Sequence, residues 1–200
     1  MDWIAVGLKE DVPPGVVIPT RIADTELAVW CASSGKYHAW SDRCPHRGMR
    51  LSHGFVRGET LACIYHGWQY NESGSCDYIP AHPKLTPPDT ICVPTYRCIE
   101  AGGVIWVSLT ETDTPLPALG GRQTVRSLPV SMSAPDLAAH FGAAGFTTIA
   151  VVSDHDVLLA VQPCTDGECM IHALAAPDAD RSAVSRWLEE LRATLERAPA

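Results

Sequence analysis

Two short segments, Cys44-Pro45-His46-Arg47-Gly48 and Cys63-Ile64-Tyr65-His66-Gly67, constrain this chain more than anything else in it. Each carries a thiol and an imidazole within a few residues. Sixteen residues separate His46 from Cys63, a hairpin-sized insert, so a fold that uses all four groups must bring two loops face to face. Loops that bend sharply around a common centre need backbone conformations that a Cβ disfavours, which accounts for Gly48 and Gly67 just beyond the histidines. Pro45 stiffens the first loop.

Two Cys-His pairs suit an iron centre with unlike halves. One thiolate pair holds one iron of a [2Fe-2S] cluster while two imidazoles hold the other, and replacing anionic thiolate by neutral imidazole raises the reduction potential. The expected ligands are Cys44, His46, Cys63 and His66. Trp68 and Tyr70 are placed to wall such a centre from water, and Tyr65 to offer its hydroxyl to a sulfur, which stabilises the reduced cluster. A Cys2His2 set also suits one tetrahedral zinc. Zinc, however, needs no glycine and aromatic residues flanking both loops. His38, His53 and His82 read as surface or hydrogen-bonded histidines, and Cys31, Cys92 and Cys98 as small buried hydrophobes in or beside strands.

With Leu51, Gly54, Leu61, Gly74, Cys76 and Ile79-Pro80 added to these loops, residues 1 to about 110 resemble the Rieske iron-sulfur domain of Rieske non-haem iron oxygenases. Rieske proteins of respiratory complexes add a second cysteine to each loop. Met49 and Tyr65 stand at those places here, so the resemblance implies the lower-potential, oxygenase type of cluster. It also implies that Cys76 packs rather than ligates, and that His46 and His66 project at the surface, where a partner chain docks.

The rest of the pattern sets the expected organisation. Short β-like runs (15–22, 27–31, 37–40, 60–64 and 104–109) broken by turns fill the N-terminal half, with Ser33-Ser34-Gly35-Lys36 as a hairpin turn and prolines 80, 83, 87 and 88 in a loop. Residues 1–110 are expected to form a mainly β Rieske domain, an antiparallel sandwich with a cluster-binding subdomain. Residues 111–126 read as a linker or arm, and 127–200 as a small α+β region resembling an abbreviated oxygenase C-terminal domain. Within it, Ser133 caps a short helix containing Pro135, strands are expected over 147–152, 157–162 and 169–174, and Val184, Trp187, Leu188, Leu191 and Leu195 recur on one helix face. A hairpin at Asp166-Gly167 explains the spacing of Cys164 and Cys169.

Oxygenases of the resembled family pair the cluster with a mononuclear iron held by two histidines and a carboxylate. After residue 110 the only histidines are His140, His155 and His172, none with a second four or five residues away. His140, His155 and Asp156 are the conceivable set, with Asp154 beside them. The resemblance therefore implies an electron-transfer protein or subunit that passes electrons from an NAD(P)H-dependent reductase or ferredoxin to a larger oxygenase subunit, in a homo- or hetero-oligomer. The alternatives are a compact monooxygenase with its own mononuclear Fe(II), performing hydroxylation or oxidative demethylation, and a redox-sensing or assembly subunit. A net charge of -8 without a Lys/Arg run argues against nucleic acid or an anionic membrane as partner. No export signal or membrane span is read from the sequence, so the expected location is cytoplasmic.

Overall fold

The computed structural model describes residues 3–151, 155–165 and 167–197. In chain order the first eight strands are β1 (Ile4–Leu8), β2 (Val17–Ile22), β3 (Thr25–Cys31), β4 (Tyr37–Ser41), β5 (Phe55–Arg57), β6 (Thr60–Ala62), β7 (Gln69–Tyr70) and β8 (Cys76–Tyr78). They are followed by β9 (Thr95–Ala101), β10 (Val104–Ser108), β11 (Gln123–Val130), helix α1 (Ala134–His140), β12 (Thr148–Val151), β13 (Val157–Thr165), β14 (Glu168–Ala175) and helix α2 (Arg181–Leu195). Among the described residues all strand pairs are antiparallel, in three sheets: β1-β10-β9-β4-β3-β2, β5-β6-β7-β8 and β11-β14-β13-β12. The fold is thus mainly β, with a C-terminal helix.

Period-two alternation assigns each strand's side chains to two different cores. On β3, Leu27, Val29 and Cys31 enter one cluster with Ile105 and Val107, while Ala28 and Trp30 enter another with Leu61 and Tyr70 of the β5–β8 sheet and Leu51 of the 3-10 turn Leu51–His53. On β1 and β10, Ala5, Val104 and Trp106 face a third cluster that includes Ala160 and Leu174 of the C-terminal sheet. The six-stranded sheet therefore carries the β5–β8 sheet at one end of its outer face and the C-terminal sheet at the other. Trp30, Trp40 and Trp106 are almost wholly buried, each contributing roughly 4 kcal/mol of apolar burial.

The C-terminal sheet lies between that junction and its helices. Val157, Leu159, Val161, Ile171 and Ala173 point toward Leu137, Val184 and Leu188. Ser133 caps α1 by accepting from Asp136 N, and Asp180 caps α2 by accepting from Ser182 N and Ala183 N, which satisfies one free donor of the first turn of α1 and two of α2.

Several details differ from the sequence expectation, among them the strands β1, β5, β7 and β8, which lie outside the expected runs. Gln123 to Arg126 open strand β11 rather than finishing an arm, and Pro129 is tolerated because β11 is an edge strand. The preceding stretch straps the junction: Trp3 donates to Thr114 O (3.0 Å), Arg97 donates to Thr112 O, and Leu116 and Leu119 pack against the third core. Cys92 is exposed rather than buried, since only an isolated bridge to Ser75 holds it. Strand β9 was not among the expected runs. Its half-buried and exposed positions alternate, but polar residues interrupt the apolar signal.

Candidate metal centre

The two cysteine-histidine loops share one backbone design. In the first, Cys44 N donates to Met49 O (2.8 Å) and Gly48 N to Cys44 O (2.8 Å). In the second, Cys63 N donates to Trp68 O (2.9 Å) and Gly67 N to Cys63 O (2.9 Å). Both closing glycines have a φ of 71°, a left-handed conformation that explains their identity. At Gly67 there is a second constraint, because a Cβ would lie 3.0 Å from Pro80 Cγ. Pro80 thus closes over the second loop.

Within each loop the thiol points inward and the imidazole outward. Cys44 and Cys63 are buried at 3% and 2% exposure, whereas His46 is half-buried and His66 exposed. The imidazole rings meet edge to face at 4.6 Å. Trp68 stacks on His46 at 4.2 Å, nearly parallel, and Tyr65 lies against His66 at 3.9 Å. Each imidazole is thereby held by an aromatic ring of the second loop.

Burial raises the pKa of the Cys63 thiol, opposed by N–H groups of Tyr65 and His66 aimed at its sulfur, with the adjacent Cys44 raising it further. Two neighbouring buried thiols become thiolates together only beside a strong cation, which is what a metal supplies. Desolvation, then the charges of His66 and Arg47, lower the pKa of His46 and favour the neutral imidazole that metals bind. The donors form an inner thiol pair and an outer imidazole pair. Among the described residues no three His, Cys, Asp or Glu side chains converge on a single-ion position. An inner thiol pair and an outer imidazole pair suit the two unlike irons of a [2Fe-2S] centre. The chemistry and arrangement of the donor set fit the cluster.

The hydroxyl beside sulfur comes from a different tyrosine than expected. Tyr70 is fully buried with its hydroxyl oxygen 3.1 Å from Cys44 Sγ, whereas Tyr65 is 54% exposed and spends its ring on His66. Once Cys44 is a thiolate, Tyr70 is the donor. Burial and then the hydrogen bond to Cys44 hold the Tyr70 pKa far above its ordinary value, so it keeps its proton. Cys76 packs in the same core as Cys44 and Tyr70, as expected of a packing cysteine.

The C-terminal histidines are engaged elsewhere. His140 is exposed against Phe141, His155 meets the edge of Trp187, and Asp156 pairs with Arg122 at 2.7 Å. The conceivable set of His140, His155 and Asp156 is not brought together; Asp154 lies outside the described residues. His172 is buried between Ser127 Oγ (2.9 Å from Nδ1) and Gln162 Oε1 (3.1 Å from Nε2), and burial lowers its pKa to about 4. Cys164 and Cys169 flank the β13–β14 turn, where Thr165 pairs with Glu168; Asp166 of the expected hairpin lies outside the described residues. Of the other histidines, His53 and His82 are exposed, while His38 is buried, stacked on Trp30 at 4.3 Å with Glu72 3.7 Å away.

Residues 2–97 match the Rieske [2Fe-2S] domain family. The N-terminal half of the chain is therefore a Rieske domain, and its relatives include a monooxygenase and the oxygenase component of another. Oxidoreductase NdmD of Pseudomonas putida is 36% identical over 132 residues, covering 65% of this chain and 22% of that protein. The 4beta-methylsterol monooxygenase of Methylococcus capsulatus is 33% identical over 147 residues, 70% of this chain and 39% of that protein. The chain thus spans a minor part of the length of these relatives. The solved structure of the Pseudomonas putida CBB5 NdmA QL mutant with theobromine superposes with a TM-score of 0.80 at 20% identity, covering 99% of this chain and 83% of that one. That likeness extends the shared fold through the C-terminal sheet and helix. A Rieske domain carries a [2Fe-2S] cluster, so this is the cofactor of the chain.

Proposed function

We propose that Cys44, His46, Cys63 and His66 ligate this cluster, and that the chain is an electron-transfer component of a Rieske oxygenase system, taking single electrons from a reductase and delivering them to a mononuclear-iron oxygenase subunit. The observation that carries the ligand assignment is the matched pair of loops, identical in backbone hydrogen bonding, with both thiols inward and both imidazoles outward. When bound, the cluster supplies one-electron storage at a single exposed end of the fold. The chain's own residues do the rest: Tyr70 donates to the Cys44 sulfur, Tyr65 and His66 N–H groups stabilise the Cys63 sulfur, and Trp68 shields and orients His46.

Support for the carrier role comes from where His140, His155 and Asp156 lie, each occupied with a different neighbour. Exposed Ile64 and Tyr65, at 49% and 54%, border His66 and form the apolar part of the docking tip. The names of the relatives, an oxidoreductase and a monooxygenase, suit such a system.

The test is single-turnover electron delivery. Reduced protein mixed with an oxygenase subunit that co-purifies with it is expected to give up one electron per cluster. Ile64→Lys and Tyr65→Lys are expected to slow that transfer while leaving the cluster spectrum in place. Turnover by the isolated chain, with a third iron lost on changing His140 or His155, would favour the compact monooxygenase instead.

A further inference from the structure

The matched loops are closed at their bases in different ways. At the second loop, Ala62 and Gln69 are ladder partners of β6 and β7, so backbone hydrogen bonds join the two ends. The first loop leaves the end of β4 at Ser41 and returns into a 3-10 turn at Leu51–His53, with no strand pair across its base. Side chains close it instead. Buried Asp42 accepts from Ser52 N and Ser52 Oγ, both at 2.7 Å. On the outside, Arg43 Nη2 lies 2.6 Å from Glu26 Oε2 and Arg50 Nη2 donates to Glu26 Oε1, so one carboxylate engages the arginines at both ends of the loop. Arg43 also reaches Gly48 O at 3.4 Å, and Asp42 N donates to Glu26 O at 3.1 Å.

We infer that Glu26, on β3 and remote in sequence from either ligand segment, is a positioning residue that clamps the first ligand loop through Arg43 and Arg50. This rests on the cluster reading above. The bridge holds Cys44 and His46 at the spacing set by the second loop, and it places a negative charge between two cations beside the ligands. Arg50 Nη1 also lies 3.8 Å from buried Asp42, but ion pairs between partly exposed side chains, such as the Glu26 bridge, contribute little to global stability. The effect of this one is therefore expected in cluster retention and potential rather than in the melting temperature.

The experiment compares wild type, Glu26→Gln, Arg50→Gln and, as a matched exposed pair far from the loops, Glu189→Gln, which removes the partner of Arg126 (2.8 Å). Cluster loss to an iron chelator is followed by visible absorbance, alongside reduction potential and melting temperature. Both Glu26→Gln and Arg50→Gln are expected to lose the cluster several-fold faster than wild type with little change in melting. Their potentials should move oppositely, up for Glu26→Gln, which removes a negative charge, and down for Arg50→Gln, with both shifts shrinking in high salt. Glu189→Gln should change neither readout. Loss at the wild-type rate in both loop variants would overturn the inference, as would faster loss that merely tracks a lowered melting temperature. A wild type without any cluster would instead defeat the cluster reading, and this inference with it.

Discussion

The ligand tip and the C-terminal sheet use the same side chains to opposite ends. At the tip, His46 and His66 meet at 4.6 Å with an aromatic ring against each and a thiol pair buried beneath. In the C-terminal sheet, His172 is buried with both ring nitrogens facing protein oxygens, Nε2 toward Gln162 Oε1 and Nδ1 toward Ser127 Oγ, whose hydroxyl also reaches Asp11 Oδ2 at 3.1 Å. Gln162 Nε2 donates to Arg21 O and Thr20 Oγ1, fixing its amide so that Oε1 faces the histidine and His172 Nε2 carries the proton. A histidine buried between protein oxygens is a strut between sheets; one presented outward over paired thiols is placed as the proposed ligands are.

The largest effect that can break this contrast comes from the tip. Cys63→Ser is expected to abolish the visible absorbance of the cluster, because a buried hydroxyl does not replace the thiolate; retained colour would mean that another residue ligates. Substitution of the strut should leave iron content intact and cost stability. His172→Ala strands Gln162 Oε1 and empties a buried site, an expected loss of about 2–4 kcal/mol by chemical denaturation.

Acid sharpens the same comparison. Unfolded, the His172 imidazole titrates near 6.5, and burial holds it near 4 in the fold, so between those values the unfolded chain binds more protons. Its contribution is complete above about pH 6.5 and falls by up to ~3 kcal/mol toward pH 4. Carboxylates titrate there as well. The diagnostic is thus the difference in slope, with His172→Ala showing the shallower decline, and equal slopes would place its titration elsewhere.

The smallest effect separates two tyrosines. Tyr70→Phe should lower the reduction potential modestly by removing the donor to Cys44, whereas Tyr65→Phe should leave it nearly unchanged. The reverse result in voltammetry would return the hydroxyl role to Tyr65.

The proposed ligands are legible in the sequence because a sharp loop leaves a local record of thiol, imidazole and glycine at short spacing. Contacts across sheets leave none. Tyr65 sits between Cys63 and His66 in sequence and so reads as the donor, yet β7 carries Tyr70 inward, against a cysteine 26 positions away. Glu26 is equally silent, because only the pairing of β3 with β4 brings it beneath the first loop. The helix of 181–195 was legible through its apolar spacing and Asp180 cap, while β11 was hidden by polar residues and a proline that an edge strand accommodates. His38 combines both lessons: its strand was expected, but not its burial against Trp30.

The most direct test of the central claim is Mössbauer spectroscopy of iron-57-enriched protein together with iron and acid-labile sulfide analysis. Two irons and two sulfides per chain are predicted, with the added electron localised on one of two inequivalent irons, the one held by His46 and His66. A single zinc ion without sulfide, or two equivalent irons in a spectrum that His66→Cys leaves unchanged, would contradict the account.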